Sequence, residues 1–131
     1  SIPDPAIHPS DERFLQKVMD IIEKHLSDTD FKVGKLEHEL GMSHMQLYRK
    51  LKALTDQSAN EFIRTVRLKH AASLLINTKL NVNEVSYRVG FNSPSYFIKC
   101  FRKQFKVLPK AYAAQINEQD PHRTSDSLAS S

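Results

Sequence analysis

The chain has 131 residues, 40% of them hydrophobic, which is the size of one ordinary domain with a modest helical core. No apolar run approaches the ~20 residues of a membrane span and no basic-then-apolar leader is present, so the segment is expected to make no membrane contact. Cys100 is the only cysteine and excludes an internal disulfide, which suits the reducing cytoplasm, the expected location.

The net charge of +4 is unevenly distributed along the chain. Residues 1–31 carry three basic and seven acidic side chains, and residues 118–131 carry one and three. Residues 32–117 carry fifteen basic and five acidic side chains, a surplus of +10. Such a local surplus is typical of a protein that binds a polyanion.

The N-terminal part predicts a short linker followed by an acidic helix. Residues 1–10 include three prolines and no apolar periodicity, as expected for a linker. Ser10 is the predicted N-cap, because Asp11 and Glu12 would then lie at the positive end of the helix dipole. Apolar residues recur at helical spacing as far as Leu26, so this helix is expected to pack on the elements that follow.

A first pair of short helices is predicted over about residues 33–55. The first of them ends at Gly41, which suits the left-handed position that closes a helix. The second opens with a capping box formed by Ser43 and Gln46 and carries basic residues opposite a leucine stripe. Two helices across a short turn, the second one basic, are typical of a helix-turn-helix.

A long helix is predicted over about residues 58–77, opened by a capping box of Ser58 and Glu61. Twenty helical residues span about 30 Å. This length approaches the ~34 Å of one turn of B-DNA. A rigid helix of this length could hold two DNA-reading units at successive segments of the major groove.

A second pair of short helices is predicted over about residues 82–106. Asn81 and Glu84 form a variant capping box, Gly90 closes the first helix, and Ser93 with Pro94 opens the second. A last short helix is predicted from Pro109 to about Gln115. The polar, Ser-rich residues 118–131 are predicted to be a disordered tail.

The two pairs of helices form an internal repeat. Before the turn the offset is 49 residues, which aligns Gly41 with Gly90. After the turn the offset is 50, which aligns Arg49 with Lys99. Two in-phase copies, each ending in a basic helix, support the helix-turn-helix interpretation much better than either copy alone.

Two stretches of the chain resemble a known family. GFNSPSYFIKCFRKQFKVLPKAY, residues 90–112, resembles the signature region of the AraC/XylS-type transcription regulators. LYRKLKALTDQSANEFIRTVRLKHAASLL, residues 47–75, is most similar to the output domains of hybrid two-component sensor regulators. The resemblance covers roughly residues 11–115.

The resemblance implies an all-α domain of about seven helices over residues 11–117, with two helix-turn-helix subdomains joined by the long linker helix. It implies sequence-specific binding of double-stranded DNA by an output domain that regulates transcription. It also implies a sensor or receiver part N-terminal to this segment, with RNA polymerase as a further candidate partner.

Candidate DNA-contacting residues lie on the second helix of each copy. Arg49 can donate to guanine O6 and N7 at once, with a phosphate contact or a solvated arginine as the alternative. Met45 and Tyr48 suit thymine methyls or sugars, with partial core packing as an equal alternative. Ile98 suits a thymine methyl unless it is one of the scattered apolar residues normal on surfaces. The predicted base-contacting set is Met45, Tyr48, Arg49, Ser95, Ile98 and Lys99, and the predicted phosphate-contacting set is Ser43, Lys52, Ser93, Arg102 and Lys103.

Catalysis has little support in the sequence. The six histidines form no HExxH pair, no Cys/His group has zinc spacing, and three glycines cannot make a phosphate-cradling loop. No enzyme activity, cofactor or metal is therefore expected. Two other functions remain open: a helical module whose basic face binds an acidic protein, and non-specific binding of nucleic acid, including RNA.

The charge surplus predicts a steep salt dependence of DNA binding. If about six to eight cationic groups meet phosphates, log affinity should fall against log salt concentration with a slope of about −5 to −7, because each contact releases counterions. Titration of a labelled duplex at several salt concentrations measures the slope. A nearly flat slope would favour the protein-interaction alternative.

Overall fold

The computed structural model of the protein describes residues 8–119, and within this range it contains helices and no strand. The predicted all-α fold of about seven helices is confirmed. None of the helices in this range is at once long and apolar enough to cross a bilayer. The helices are α1 (Pro9–Lys24), α2 (Val33–Leu40), α3 (His44–Thr55), α4 (Ala59–Asn77), α5 (Val82–Arg88), α6 (Pro94–Phe105) and α7 (Pro109–Gln119).

The first helix begins earlier than predicted. His8, not Ser10, occupies the N-cap, and its Nδ1 accepts the Ser10 N–H at 3.1 Å. Pro9 opens the helix, where its missing N–H costs nothing. Ser10 therefore lies inside the first turn, and the prediction of a cap there was wrong. Residues 1–7 of the predicted linker lie outside the described residues.

The last helix ends later than predicted. It continues past Gln115 to Gln119, so residues 118 and 119 of the predicted tail are helical. No glycine or proline lies between Gln115 and Pro121, so this stretch contains no strong helix-stop signal. The remainder of the predicted tail, residues 120–131, lies outside the described residues.

The chain forms two compact units, and the first comprises the residues up to Val66. Its core contains the fully buried Val18, Ile22, Leu36, Leu47 and Leu51, contributed by α1, α2 and α3. Ala59, Ile63 and Val66 of the early part of α4 join the same core.

Polar contacts tie the end of α1 to α2 in this unit. The His25 ring stacks on Phe31, with ring centroids 4.8 Å apart. Its Nε2 lies 2.8 Å from Glu39 Oε2, and Lys24 Nζ lies 3.2 Å from Glu39 Oε1. The hydrogen bond from Lys24, aided by His25, holds the pKa of Glu39 below its usual value.

The second unit comprises Arg67 onward and is built around an aromatic core. Phe97 and Phe101 of α6 are fully buried. Phe91 packs edge-on against Phe97, with ring centroids 5.2 Å apart. Tyr112 of α7 packs edge-on against Phe101 at 5.5 Å and so covers this core, as predicted.

The predicted capping box at the start of α4 is present. The Ser58 N–H donates to Glu61 Oε1 at 3.1 Å, and the Glu61 N–H donates to Ser58 Oγ at 3.2 Å. The bond from the Ser58 backbone, followed by the contact with its hydroxyl, lowers the pKa of Glu61 below 4.5. The ionised carboxylate is therefore the form that stabilises this helix start.

This capping box predicts a specific acid dependence of stability. The folded pKa of Glu61 lies below its unfolded value, so its contribution is fully present above pH 4.5 and is lost as pH falls through the folded pKa. Glu61→Gln should fold, because Gln46 serves in the corresponding box of α3. It should also lose less stability than the parent chain on acidification. Urea unfolding on both sides of that pH measures the difference, and parallel pH profiles would contradict the role of Glu61.

Candidate nucleic-acid interface

The first helix-turn-helix is closed by a left-handed glycine after α2. Gly41 has φ 64°, a conformation that costs residues with a Cβ but not glycine. Its N–H donates to the His38 carbonyl at 3.2 Å, and the Met42 N–H donates to the Glu37 carbonyl at 3.1 Å. Together these bonds form a Schellman motif, which satisfies carbonyls left over at the helix end.

The same closure recurs 49 residues later. Gly90 has φ 90°, and its N–H donates to the Tyr87 carbonyl at 3.1 Å. The Phe91 N–H donates to the Ser86 carbonyl at 2.9 Å. The repeat predicted from the sequence is thus a repeat of backbone hydrogen bonds as well as of residue types.

The second helix of each copy starts and ends in the same way, at an offset of 50. Ser43 accepts the Gln46 N–H at 3.2 Å, and Ser93 accepts the Tyr96 N–H at 3.3 Å. After their last turns, Asp56 and Lys106 occupy left-handed positions with φ 58° and 67°. Two pairs of equivalent backbone positions, one at each helix end, therefore define α3 and α6 as counterparts.

The predicted base-contacting residues of the first copy share the outward face of α3. Met45 is 53% exposed and Tyr48 is 41% exposed, while Arg49 is exposed beside them. Leu47 and Leu51 are fully buried on the opposite face. The exposure of Met45 and Tyr48 favours their availability to a ligand over core packing.

The corresponding face of α6 differs in one residue. Ser95 and Lys99 are exposed, as expected, but Ile98 is half-buried. Ile98 therefore presents only part of its surface on this face, and its contact with a thymine methyl stays a prediction. The part that remains accessible lies at the position equivalent to Tyr48.

The predicted phosphate-contacting residues lie on the same two helices. Lys52, Arg102 and Lys103 are exposed, and Ser43 and Ser93 sit at the helix starts. The oxygens of both serines accept backbone N–H bonds, which leaves each O–H able to donate to a phosphate. Lys52 Nζ lies 3.3 Å from the Asp56 carbonyl and 3.7 Å from its carboxylate, a weak contact because both side chains are exposed.

The predicted site did not include three neighbouring side chains, Gln46, Lys50 and Tyr96. Gln46, Arg49 and Lys50, together with the turn at Gly41 and Met42, line an open groove of about 530 Å³. Lys50 Nζ lies 4.4 Å from the centre of the Phe14 ring. Tyr96, at the position equivalent to Gln46, is 49% exposed. The offset of 50 could have paired Gln46 with Tyr96.

The described residues contain no group of three or more His, Cys, Asp or Glu side chains placed to hold a metal ion. Cys100 is buried within α6, beside Phe101 in sequence, as expected for a small hydrophobic residue.

Comparison with known proteins assigns this architecture to a family. Residues 36–115 match the model of a helix-turn-helix domain family. The chain is 44% identical over 114 residues to histidine kinase P4 of Formosa agariphila, covering 87% of this chain and 8% of that protein. It is 32% identical over 103 residues to the transcriptional activator PerA of Escherichia coli, covering 79% of this chain and 37% of that protein.

Solved structures show the same fold. The DNA-binding domain of the global transcriptional factor AdpA, in complex with a target DNA, is 31% identical with a TM-score of 0.74, covering 82% of this chain and 96% of that one. The C-terminal domain of the two-component response regulator YesN of Fusobacterium nucleatum is 28% identical with a TM-score of 0.69, covering 77% and 98%.

With two helix-turn-helix units in an all-α fold, the chain falls in the class of helical DNA-binding domains. Within that class, the chain belongs to the AraC-type helix-turn-helix domains of transcription regulators. The predicted resemblance is thereby confirmed. The chain spans less than two fifths of each of these two curated relatives.

Alanine substitutions at Gly34 of α2 and at Gly41 of the following turn should change the stability of the domain in opposite directions. A Cβ at either Gly34 or Gly41 meets nothing within 4 Å, so backbone conformation alone decides the outcome. Gly41→Ala should destabilise the domain by about 1–2 kcal/mol, because its φ is left-handed. Gly34→Ala should stabilise it by about 0.4–1 kcal/mol, because alanine reduces the freedom of the unfolded chain. Thermal unfolding of both variants tests this, and a stabilising Gly41→Ala would contradict the turn geometry.

Proposed function

We propose that this domain reads double-stranded DNA sequence-specifically, with α3 and α6 as recognition helices in successive segments of the major groove. The observation that carries the proposal is the face that the two helices repeat. Positions 45, 48, 49 and 52 of α3 match positions 95, 98, 99 and 102 of α6 at an offset of 50. On each helix these positions lie opposite a fully buried stripe. In a helix-turn-helix, the residues near the start of the second helix contact base edges.

Arg49 is the proposed principal base-reading residue. It is exposed, lies six residues after the Ser43 cap and lines the open groove next to the turn. A guanidinium can donate two parallel bonds to one guanine, which gives direct discrimination between bases. Met45 and Tyr48 flank it and offer apolar contact surface. In α6, Ser95, Ile98 and Lys99 are the proposed counterparts.

The second unit is proposed to contribute most of the sequence-independent affinity. Residues 67–117 include nine Lys or Arg and one acidic residue, Glu84, giving +8. Residues 8–66 include nine basic and ten acidic residues, giving −1. In the part of the chain that the structure describes, Lys99, Arg102 and Lys103 form no salt bridge. Exposed cations without carboxylate partners are suited to phosphates.

The remaining proposed phosphate contacts come from the ends of the recognition helices. Ser43 and Ser93 lie at the positive ends of α3 and α6, where hydroxyl and backbone donors suit a phosphate oxygen. Lys52 lies one helical turn before the end of α3 and would exchange its weak contact with Asp56 for a phosphate.

We further propose that the domain is the output part of a longer two-component regulator that acts in the cytoplasm. Support comes from the similarity to histidine kinase P4 and to the C-terminal domain of the response regulator YesN. A sensor or receiver part N-terminal to this segment would control DNA binding, and RNA polymerase is the proposed partner on the promoter. No catalytic role is assigned to this domain.

Selection of bound sites from a random duplex pool tests the proposed function. Enrichment of a motif with two conserved segments about one helical turn apart is expected. Binding without enrichment would favour non-specific nucleic-acid association. Failure to bind any duplex would favour the alternative of an acidic protein partner.

Substitution of two arginines predicts different losses of DNA binding. Arg49→Ala should cost about 1–3 kcal/mol on the preferred site and relax the preference at one base position. Arg102→Ala should weaken binding to all sequences about equally and flatten the salt slope by about one unit. Arg102 lies more than two turns after the start of α6, where the helix leaves the base edges.

Binding of both variants to the preferred site and to each single-base variant of it separates the two roles. Each variant serves as the control for the other, and neither should unfold the domain because both side chains are exposed. If Arg102→Ala changed the base preference while Arg49→Ala weakened all sites equally, the assignment would be reversed. If both only lowered the melting temperature, these arginines would be structural.

A further inference from the structure

Arg67, in the middle of α4, is a buried arginine that no recognition role explains. It is 6% exposed, and its Nη1 donates to the Val89 carbonyl at 2.7 Å. The contact spans 22 residues of sequence and lies within the second unit. Burying a guanidinium carries a large desolvation cost. The burial of Arg67 therefore needs a structural explanation.

The Val89 carbonyl supplies that reason. Val89 is the C-cap of α5, and the last carbonyls of a helix have no partner within the helix. Its side chain is fully buried, as is Val85 one turn before it. An acceptor removed from water without a donor would cost the full desolvation of that group. Arg67 provides the donor.

The equivalent positions of the first copy hold different residues. Counting back 49 residues from Arg67 leads to Val18 of α1, which is fully buried and apolar. The residue equivalent to Val89 is Leu40, which is only half-buried at the end of α2. The two copies therefore differ at both ends of this one hydrogen bond, although their other closing bonds match.

The extra donor coincides with the longer turn. Two residues lie between Gly90 and Ser93, whereas one lies between Gly41 and Ser43. Phe91 of the longer turn packs on Phe97 and on Tyr96 of α6, with ring centroids 5.2 and 6.0 Å apart. The turn is thus held by Arg67 on one side and linked to the start of α6 on the other.

We propose that Arg67 is a positioning residue for DNA recognition, which holds the longer turn of the second helix-turn-helix and thereby orients α6. The inference rests on the proposed function of α6 as a recognition helix. Arg67 itself touches no DNA in this proposal, because it is buried. Loss of Arg67 should make the turn more flexible and reduce base discrimination by α6. Base discrimination by α3 should stay unchanged.

The first test measures the turn directly, without DNA. Hydrogen exchange of the Gly90 and Phe91 amides is compared in the parent chain and in Arg67→Met, which keeps a long side chain but removes the donors. Exchange of both amides should accelerate about tenfold, since the buried bond to the Val89 carbonyl is lost. The equivalent Gly41 and Met42 amides of the first copy are the internal control and should keep their rates.

Two further variants separate the guanidinium from other effects. Arg67→Lys keeps one cationic donor and should restore part of the protection even if Arg67→Met folds poorly. Lys69→Met removes an exposed positive charge two residues away on the same helix and should leave all four amides unchanged. Equal acceleration of the Gly41 and Met42 amides would indicate global destabilisation and overturn the proposal.

The second test uses the preferred duplex and its single-base variants. Arg67→Met should lose about tenfold or more in discrimination at the bases read by α6 and keep the discrimination at the base read by Arg49. The salt slope should stay unchanged, because a buried arginine releases no counterion. A uniform loss over the whole site, or an unchanged base-preference profile, would overturn the positioning role.

The two tests also distinguish failure of this inference from failure of the proposed function. If the parent chain shows no base preference, the proposed function fails, whatever the exchange rates show. If the parent chain is selective and the turn amides of Arg67→Met exchange at parental rates, the role of Arg67 alone fails.

Discussion

Both DNA-reading units depend on one backbone constraint, a helix end closed by a glycine in the left-handed conformation. At Gly41 and again at Gly90, two N–H groups after the helix bind carbonyls of its last turn. The chain then leaves the helix in a defined direction, which no residue with a Cβ adopts as easily. The serine caps and the recognition helices come next along the chain, so their positions depend on this direction.

The constraint explains how one residue was added without loss of the fold. The additional residue of the second copy lies between the glycine closure and the serine cap, so the hydrogen bonds on either side retain their spacing. A longer turn has more freedom, however, and more of its backbone must find partners. The bond from Arg67 to the Val89 carbonyl holds the residue just before this turn in place.

The two units also use charge differently. In the first unit, Lys24 and His25 bind Glu39, and His44 lies 2.8 Å from Glu37, so polar contacts tie α2 to both of its neighbours. This helix is short, lacks a side-chain cap and contains Gly34, so such contacts supplement weak local propensity. In the second unit, hydrophobic and aromatic packing forms the core, and its exposed cations remain available to an anionic partner.

Local signals were sufficient to predict most of the helices. The capping boxes at Ser43, Ser58 and Asn81 and the two glycine stops lie within four residues of the helix ends that they define. The errors occurred where local signals compete or are missing. His8 replaced Ser10 as the first cap, and α7 continued because no glycine or proline lies between Gln115 and Pro121.

The sequence by itself therefore determined the all-α fold, the repeat, the family and the two helices that carry the candidate site. Only the tertiary structure decided which residues on those helices are accessible. Met45 and Tyr48 are exposed, whereas Ile98 at the position equivalent to Tyr48 is half-buried. The tertiary structure also revealed Arg67, which reads in the sequence as one more basic residue in a basic region. The physical reason is that burial and hydrogen-bond partners are set by residues distant in sequence, and periodicity identifies a helix face without identifying what covers it.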